Sequence, residues 1–310
     1  MSGALSSDEA DDGLGTAAAG ETIARTDAHI ALIGSLAVAR ALPQRKRRTI
    51  GAWCFLDHFG PAKVVEGDDP QLGPHPHIGL HTVTWLYDGE ALHKDSLGSE
   101  QAIRPGQLNI MTAGHGIAHA EDMLWNTSSR TVHGLQLWIA QPHATRNSSS
   151  TFAHHASLPS SAHNDLDVTV LVGEVGATES PARVDSALVG ADIVARGAGL
   201  VPLDASFEHG VFVVEGSAIV NGNDVATNQL LYLPPGHTSV DISSSDGAPA
   251  RLMLLGGIPF GEQLFMWWNF VGRTKDEIDD AQRSWNSDDG RFGRVESRLS
   301  RIAAPTPIWH

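Results

Sequence analysis

Short apolar segments separated by turn-forming residues are the feature that most limits the possible folds of this chain. From about His29 onward, apolar and polar residues alternate over short stretches, and Gly, Pro, Asn or Asp interrupt them at close intervals. Typical stretches are HTVTWLYDG (81–89), QLNIMTAG (107–114), HGLQLWIAQ (133–141), DVTVLVGEV (167–175) and HGVFVVEGSAIVNG (209–222). A period of two is typical of β-strands that bury one face. No long helical pattern lies between the stretches, so the sequence predicts an all-β protein rather than an alternating α/β fold.

The chain length and an internal repeat indicate two copies of one domain. A chain of 310 residues is long enough for two domains that each bury their own core. The segment that starts at His81 is similar to the one that starts at His209, since each has a strand, a Gly turn and a second strand. The proline-led turn after Pro105 likewise resembles the one at 233–242. We therefore predict two tandem β-barrels that arose by duplication.

A polar stretch between the two copies, rich in Ser, His and Asn, predicts the domain boundary. Its histidines have no fixed spacing, so a solvated linker is favoured over a metal-binding tract. The predicted organisation is a disordered acidic tail (1–28), an N-terminal metal-binding barrel (29–145), a linker (146–165), a C-terminal barrel without a metal site (166–290) and a C-terminal tail (291–310).

One helix is predicted near the C-terminus. Thr274 and Glu277 form a T-x-x-E capping box, and Ile278, Ala281 and Trp285 then recur at helical spacing. The helix should run from about 275 to 286 and pack against a barrel without taking part in chemistry.

The cysteine count, the charge and the N-terminal sequence argue against several classes of protein. Cys54 is the only cysteine, which rules out an intrachain disulfide and a cysteine-based zinc site and suits a reducing compartment. A formal net charge of -15 disfavours direct binding to nucleic acid and to anionic lipid. No apolar run approaches the roughly 18 residues of a membrane span, and the acidic N-terminus differs from a signal peptide. We expect a cytoplasmic protein without membrane contact.

Two histidine-containing motifs predict a metal centre in the N-terminal barrel. Residues 74–81 read PHPHIGLH, and residues 119–121 read HAE. Because residues i and i+2 of a strand point to the same face, His75 and His77 can converge on one point, and His119 with Glu121 can do so from another strand. Three imidazoles and one carboxylate fill four positions of an octahedron, and two positions stay open for substrate, water or dioxygen.

Residues 73–121 resemble the two cupin motifs, and in detail those of the pirin family. The matching segments are HPH-x-G from His75, H-x-D-x-x-G (93–98), Pro105 with Gly106, MTAG-x-GI-x-H-x-E (111–121) and HGLQLW (133–138). The similarity runs from about residue 30 to 285. It implies two cupin (jelly-roll) barrels and one mononuclear divalent metal, held in the first barrel by His75, His77, His119 and Glu121. The family favours Fe(II), while Mn, Co, Ni, Cu and Zn stay open because such N/O sites also bind them.

Four further histidines are candidates for the surroundings of the metal. His81 stands where pirin-like sequences commonly carry Glu, and His115 where they commonly carry Arg. His81 could be an additional ligand or base, but a core or rim position is favoured because Gly79 can interrupt the alternation of the strand. His115 is expected at the mouth of the site. His93 and His133 could each hold the outer nitrogen of a ligand imidazole or be purely structural.

The C-terminal barrel is expected to hold no metal. When His209 is aligned with His81, Leu203 and Ala205 stand at the positions of His75 and His77, and neither offers a ligand atom. This barrel would then cover the first and shape the groove between them.

The resemblance leaves two classes of function open. Bacterial pirin-like proteins are associated with quercetin 2,3-dioxygenase activity, which implies a small chelating aromatic substrate of the flavonol type, O₂, and Glu121 as ligand and general base. Pirins are also described as partners of transcription factors and metabolic enzymes. In that case the metal would control binding to a protein partner, and the basic run at 45–48, otherwise a solvated loop, would be one contact. Another cupin chemistry, such as isomerisation, remains the third alternative.

Overall fold

A computed structural model of the chain describes residues 22–33, 36–63, 72–123, 131–245 and 247–309. Over these residues the protein consists of β-strands and one α-helix, so the all-β prediction is confirmed. Residues 1–21 of the predicted acidic tail lie outside the described part of the chain. Within that part, no helix has the length and apolar composition that crossing a bilayer requires.

The strands of the N-terminal half are β1 (Ala24–Asp27), β2 (His29–Ile33), β3 (Leu36–Leu42), β4 (Trp53–Lys63), β5 (Leu72–His77), β6 (Leu80–Asp88), β7 (Ala91–Asp95), β8 (Glu100–Ile103), β9 (Leu108–Thr112), β10 (Ile117–Met123), β11 (Thr131–Ala140), β12 (Thr151–His155) and β13 (Ser160–His163). The C-terminal half contains β14 (Leu166–Val172), β15 (Glu174–Val175), β16 (Thr178–Glu179), β17 (Leu188–Ala195), β18 (Ala198–Pro202), β19 (Glu208–Glu215), β20 (Ser217–Val220), β21 (Asn223–Ala226), β22 (Gln229–Leu233), β23 (Ser239–Ser244), β24 (Ala250–Gly257), β25 (Phe265–Trp267), β26 (Phe270–Gly272) and helix α1 (Lys275–Ser287).

Two seven-stranded sheets share one topology. Their strand orders are β12-β9-β6-β11-β4-β3-β2 and β1-β22-β19-β24-β17-β14-β13. Each is accompanied by a four-stranded sheet, in the order β5-β10-β7-β8 for the first barrel and β18-β23-β20-β21 for the second. Corresponding strands occupy corresponding places in both halves, as the predicted duplication requires.

In each seven-stranded sheet, the strand at one end comes from outside the predicted barrel. Strand β1 precedes the first barrel but pairs with β22 of the second, while β12 pairs back with β9 of the first. Residues 24–27 are therefore a strand and not part of a disordered tail, and β12 and β13 replace the predicted coil of the 146–165 linker. The physical reason is that β9 and β22 would otherwise be open sheet edges with unpaired backbone groups. Short polar segments can satisfy those groups by pairing with the edge. The domain limits themselves stay predictions.

The barrels pack on each other through a common apolar cluster. Trp53, Trp85 and Leu135 of the first barrel share this cluster with Phe212 and Leu255 of the second. Indole Nε1 of Trp53 also donates to the carbonyl oxygen of Val189 at 3.0 Å, across the interface. The second barrel thus covers one face of the first.

The alignment of His81 with His209 pairs residues whose side chains face opposite sides of their sheets. His81 alternates with Val83 and Trp85, which belong to the interface cluster, whereas His209 alternates with Val211 and Val213 in the core of the second barrel. A one-residue shift moves a strand side chain to the opposite face, and a weak sequence repeat does not fix that register.

The shift also changes which residues of the second barrel correspond to the metal ligands. Strand β18 ends at Pro202, so Leu203 and Ala205 lie beyond it. The paired positions inside the barrel are Val201 opposite Val240 and Gly199 opposite Ile242. These residues again offer no ligand atom, and the lack of a metal in this barrel stays a prediction.

Helix α1 begins where the capping box predicts. The hydroxyl of Thr274 accepts a hydrogen bond from the Glu277 amide at 3.2 Å, and Ile278, Ala281 and Trp285 are buried. The following segment packs along β5, where the Ile302 amide donates to the Pro74 carbonyl at 2.9 Å. The predicted C-terminal tail therefore lies against the strand that carries two of the candidate metal ligands.

Candidate metal centre

Three histidine side chains meet inside the first barrel, where β5 and β10 run side by side. His75 and His77 share one face of β5, and the antiparallel pairing with β10 places His119 directly opposite His75. All three side chains are buried. Their ligand nitrogens lie within 4.8 Å of one another, and Nε2 of His77 is 3.0 Å from Nε2 of His119. The structure thus brings together three of the four predicted ligands.

The outer nitrogens of the two β5 histidines are held by backbone carbonyls. Nδ1 of His75 donates to the Gly73 oxygen at 2.9 Å, and Nδ1 of His77 donates to the Asn269 oxygen at 3.1 Å. A carbonyl oxygen only accepts, so Nδ1 carries the proton in both neutral rings. Each Nε2 therefore presents a lone pair toward the centre of the cluster.

The outer nitrogen of His119 contacts another histidine, His93. Nδ1 of His119 lies 3.4 Å from Nδ1 of His93, and Nε2 of His93 lies 3.2 Å from the Asp95 carboxylate. The carboxylate accepts from Nε2 of His93, which leaves Nδ1 of that ring as an acceptor for the His119 proton. His93 also stacks on Phe152, with ring centroids 4.4 Å apart. His119 thereby points a third Nε2 lone pair at the same centre.

Convergence of three lone pairs in a buried space fits a bound cation. Without a cation, one nitrogen of the His77–His119 pair must carry a proton and donate to the other, because two lone pairs at this distance repel. Two nitrogens bound at right angles to one metal, each about 2.1 Å away, would lie about 3.0 Å apart. That separation is the distance between the Nε2 atoms of His77 and His119. Hydrogen bonds on the outer nitrogens are also the usual way in which metal-binding histidines are oriented.

Burial keeps these imidazoles in the neutral form that binds metals. Desolvation lowers the pKa of His75 to about 4, against the opposing effect of the nearby Glu121 carboxylate. Burial, reinforced by the positive charge that His75 would carry, also holds the pKa of His77 and of His119 well below the usual range. At neutral pH no proton competes for their Nε2 lone pairs.

Glu121 is buried on β10, two residues after His119. It lies opposite His93 on β7, and a bulge between His119 and Glu121 shifts its pairing with β5 to Leu72. Its carboxylate is close enough to His75 to affect the pKa of that ring, but the group within 4.8 Å contains only the three histidines. The role of Glu121 as fourth ligand stays a prediction.

Asn269 is a part of this site that the sequence did not indicate. The Asn269 carbonyl that holds His77 belongs to the turn between β25 and β26, and Trp268 adopts the left-handed region there with a φ of 53°. The turn lies 192 residues from His77 along the chain. No local pattern links them, since the carbonyl is a backbone group and any residue type could supply it.

His81 does not join the cluster. Its Nδ1 lies 2.9 Å from the Thr112 hydroxyl, and its Nε2 lies 3.3 Å from the carboxylate of Asp185 in the second barrel. The Asp185 pKa is held below its usual range, first by the hydrogen bond from His81. His81 is therefore a buried interface residue, the favoured alternative of the sequence analysis.

His133 lies at the interface as well and does not touch a ligand imidazole. Its Nε2 is 2.9 Å from Nε2 of His58, whose Nδ1 pairs with the Asn228 side chain at 2.6 Å. Burial lowers the pKa of His133 to about 4. Of the two candidates for holding a ligand, the structure therefore places only His93 beside one.

His115 lies outside the barrel in an exposed turn. Its carbonyl oxygen accepts two hydrogen bonds from the Arg291 guanidinium, at 3.0 and 2.9 Å. With Asp280 and Ser284 of α1, His115 lines a surface cavity of about 610 Å³. The three clustered histidines do not line this cavity, so the expected place of His115 at the mouth of the metal site is not supported.

Two β-barrels in tandem, with a histidine cluster inside the first, define a bicupin. The family model for pirin matches residues 35–139, and that for the pirin C-terminal cupin domain matches residues 192–293. The chain therefore belongs to the pirin family, and both the predicted family and the predicted cupin fold are confirmed.

The chain is also similar to named proteins and to proteins of known structure. A Pseudomonas aeruginosa protein, provisionally named a quercetin 2,3-dioxygenase, is 47% identical over 89% of this chain and 87% of its own length. A crystal structure of quercetin 2,3-dioxygenase from Acinetobacter baumannii superposes with a TM-score of 0.87 at 42% identity and covers 92% of this chain and 95% of that one. A bacterial pirin from Escherichia coli, solved in complex with nickel(II), shares the fold with a TM-score of 0.61 at 19% identity, over 77% of this chain and all of the other.

Proposed function

We propose that this protein is a metal-dependent dioxygenase that acts on a flavonol-type chelating substrate such as quercetin. One observation carries the proposal: three Nε2 lone pairs, fixed by hydrogen bonds on the outer nitrogens, converge in a buried space of the first barrel. The names of the similar proteins from Pseudomonas aeruginosa and Acinetobacter baumannii supply the substrate class. Fe(II) is the metal that we propose, and the donor set also accommodates Mn, Co, Ni, Cu or Zn.

His75, His77, His119 and Glu121 would hold the metal, and a six-coordinate ion would then have two positions left for substrate and O₂. A metal bound there supplies a Lewis acid that lowers the pKa of a coordinated hydroxyl group and brings the substrate and O₂ together. The histidines contribute by staying neutral and by keeping fixed directions. A closed set of protein ligands would leave no room for substrate, which distinguishes this donor set from a structural site.

Glu121 is the group that we propose to take the hydroxyl proton of the flavonol. It is buried beside the three histidines, and its carboxylate is the only acidic group among the predicted ligands. A carboxylate within hydrogen-bonding reach of the substrate oxygen can act as a general base, worth roughly 10² to 10⁴ in rate.

His93 and Asp95 are proposed to position His119. The Asp95 side chain is itself fixed, because its Oδ1 accepts from the Leu97 and Ser99 amides at 2.9 Å each. Although burial raises the pKa of Asp95, hydrogen bonds from His93 and Ser99 lower it below the usual range, so the carboxylate is ionised. An ionised Asp95 keeps the proton on Nε2 of His93 and thereby directs the Nε2 lone pair of His119 toward the metal.

The experiment is an oxygen-uptake assay with quercetin. Protein loaded without oxygen with Fe(II), Mn(II), Co(II), Ni(II), Cu(II) or Zn(II) is mixed with quercetin in air-saturated buffer, and O₂ consumption is followed beside the loss of flavonol absorbance. Uptake that requires both the protein and at least one of these metals supports the proposal. No uptake with any of them would reject it.

The alternative of a metal-controlled binding protein would use the basic run at 45–48 as a contact for its partner, but part of this run packs within the protein. In the basic run, the Arg47 guanidinium lies 3.3 Å from the centroid of the Tyr232 ring and 3.9 Å from the carboxylate of Glu208. Both partners belong to the second barrel. Arg47 therefore contributes to packing between the barrels, and Arg45 and Lys46 are the exposed residues of the run, whereas Arg47 and Arg48 are partly buried.

A further inference from the structure

A residue from the segment between the barrels stacks on the surroundings of the metal centre. The Phe152 ring of β12 lies against the imidazole of His93, with the ring centroids 4.4 Å apart and the planes 12° from parallel. His93 is the residue whose Nδ1 faces the outer nitrogen of His119. Phe152 is the only Phe, Tyr or Trp in the predicted linker 146–165, and both of its neighbours in the chain are exposed. The one aromatic side chain of this polar segment is thus placed against a single partner, His93.

The hydrogen bonds of His93 hold its ring only loosely. Nε2 lies 3.2 Å from the Asp95 carboxylate, and Nδ1 lies 3.4 Å from Nδ1 of His119. These distances are at or beyond the long end of the usual range of about 2.7–3.2 Å for N–H donors. The N–H bond and the lone pair of an imidazole lie in the plane of the ring, so a tilt of the ring weakens both contacts at once. A stacked Phe152 opposes that tilt, because near-parallel rings lose contact area when one of them turns.

Phe152 is itself fixed, because its strand is tied to the first barrel. Strand β12 pairs with β9, and the Phe152 side chain packs against an apolar cluster of this barrel. Two residues earlier, the Ser150 hydroxyl lies 2.8 Å from the carbonyl oxygen of Ala113 and 2.9 Å from that of Gly116, so it can donate to either. These carbonyls belong to the turn that leads into β10, which carries His119. The phenyl ring is therefore anchored to the same part of the barrel as the ligand that it would influence.

We propose that Phe152 is a positioning residue for the metal. By stacking on His93 it fixes the plane of that ring and, through it, the direction of the His119 Nε2 lone pair. This inference rests on the metal centre of the proposed function and is independent of the substrate. It gives a role in metal binding to a strand that belongs to neither predicted barrel.

The test is the Kd for Co(II), measured on the full chain without oxygen and without quercetin, by competition with a metal-binding dye. Phe152→Leu keeps an apolar side chain but removes the planar ring, and we expect its Kd to rise by about 3- to 10-fold. Phe152→Tyr keeps the ring, so its Kd should stay within about twofold of wild type. Urea unfolding of both variants runs in parallel, because a side chain that only fills space would change stability and leave the Kd of the folded protein unaltered.

A double-mutant cycle shows whether Phe152 acts through His93. In a His93→Gln background the ring that Phe152 positions is gone, so Phe152→Leu should no longer change the Co(II) Kd. The matched control is Phe207→Leu. It removes another partly buried phenylalanine beside a histidine, His209 of the second barrel, and should leave the Kd unchanged.

The proposal is overturned if Phe152→Leu binds Co(II) as tightly as wild type, or if Phe152→Tyr or Phe207→Leu loses as much affinity as Phe152→Leu. It is also overturned if the effect of Phe152→Leu is the same with and without the His93 ring. Wild-type protein that binds Co(II) but consumes no O₂ with quercetin under any metal would reject the dioxygenase and leave this inference standing. Wild-type protein that binds no Co(II) would refute both.

Discussion

The Nε2 atoms of His77 and His119 lie 3.0 Å apart, the separation expected of two nitrogens bound at right angles to one metal ion. The outer nitrogens explain this arrangement, because Nδ1 of His77 must donate to the Asn269 carbonyl and Nδ1 of His119 faces the His93 ring. Two facing lone pairs at this distance repel, so either a proton on one Nε2 or a cation between the two nitrogens must stabilise the arrangement. The pairing of β5 with β10 thus brings together buried histidines whose arrangement fits a bound cation.

Metal content should therefore depend on His119. We expect about one transition-metal ion per chain for wild type and markedly less for His119→Ala, because His75, His77 and the predicted ligand Glu121 would hold the ion with one donor fewer. The matched control is His81→Gln, which removes another buried histidine of the same barrel that contacts Asp185 rather than the cluster. Elemental analysis of freshly isolated protein measures this. Equal metal content in His119→Ala and wild type would refute the ligand set.

The Asp95 carboxylate should influence metal affinity although it is not a ligand. Asp95→Asn weakens the acceptor for His93 and so loosens the orientation of His119, and losses of this kind are typically about 10- to 100-fold in metal affinity. Competition with a metal-binding dye gives the Kd. Asp185→Asn, which removes a carboxylate hydrogen-bonded at the interface instead, serves as the control. If both variants bind the metal like wild type, His93 and Asp95 have no positioning role.

The candidate metal ligands were predictable because their spacing carries the information. An H-x-H pair and a second pair H-x-E can be found from strand periodicity alone, and three of these four residues meet in the structure. The face of its strand on which the His209 side chain lies was not predictable, since a weak sequence repeat does not fix the register of a strand to one residue. The pairing of β1 with β22 and the contact of His77 with Asn269 were not predictable either. Each joins residues about 200 positions apart, and each depends on backbone groups that any residue type could supply.

Gly79 should be sensitive to substitution because it closes the corner between β5 and β6. It has a φ of +67°, and a Cβ at this position would lie 2.2 Å from the Val271 carbonyl oxygen. Gly79→Ala should lower the free energy of unfolding by about 2 kcal/mol or more, from backbone strain and the forced shift of β26. Gly106→Ala is the control, because Gly106 also has a positive φ but nothing within 4 Å. It should lose only about 1 kcal/mol. Denaturant unfolding curves compare the two, and equal losses would contradict this explanation.

The interface histidines predict that stability falls in mild acid. The folded-state pKa of His133 is about 4, and that of an unfolded histidine is about 6.5. Between these values the unfolded chain binds a proton that the folded chain does not, so stability decreases as the pH falls through this window. His133→Gln should reduce the loss between pH 6.5 and 4.5 by about 1–3 kcal/mol. Urea unfolding at matched metal content measures it, and an unchanged pH dependence would count against a neutral buried His133.

Glu121 offers the most direct test of the proposed dioxygenase, because this residue would be both ligand and base. Glu121→Gln keeps an oxygen donor, so metal affinity should weaken only modestly, whereas removal of the hydroxyl proton should fail. The measurement is O₂ uptake with quercetin for wild type and Glu121→Gln at matched metal content. We predict a rate for the variant that is roughly 10² to 10⁴ lower. Equal rates would contradict the role of Glu121, and no uptake by metal-loaded wild type would contradict the dioxygenase itself.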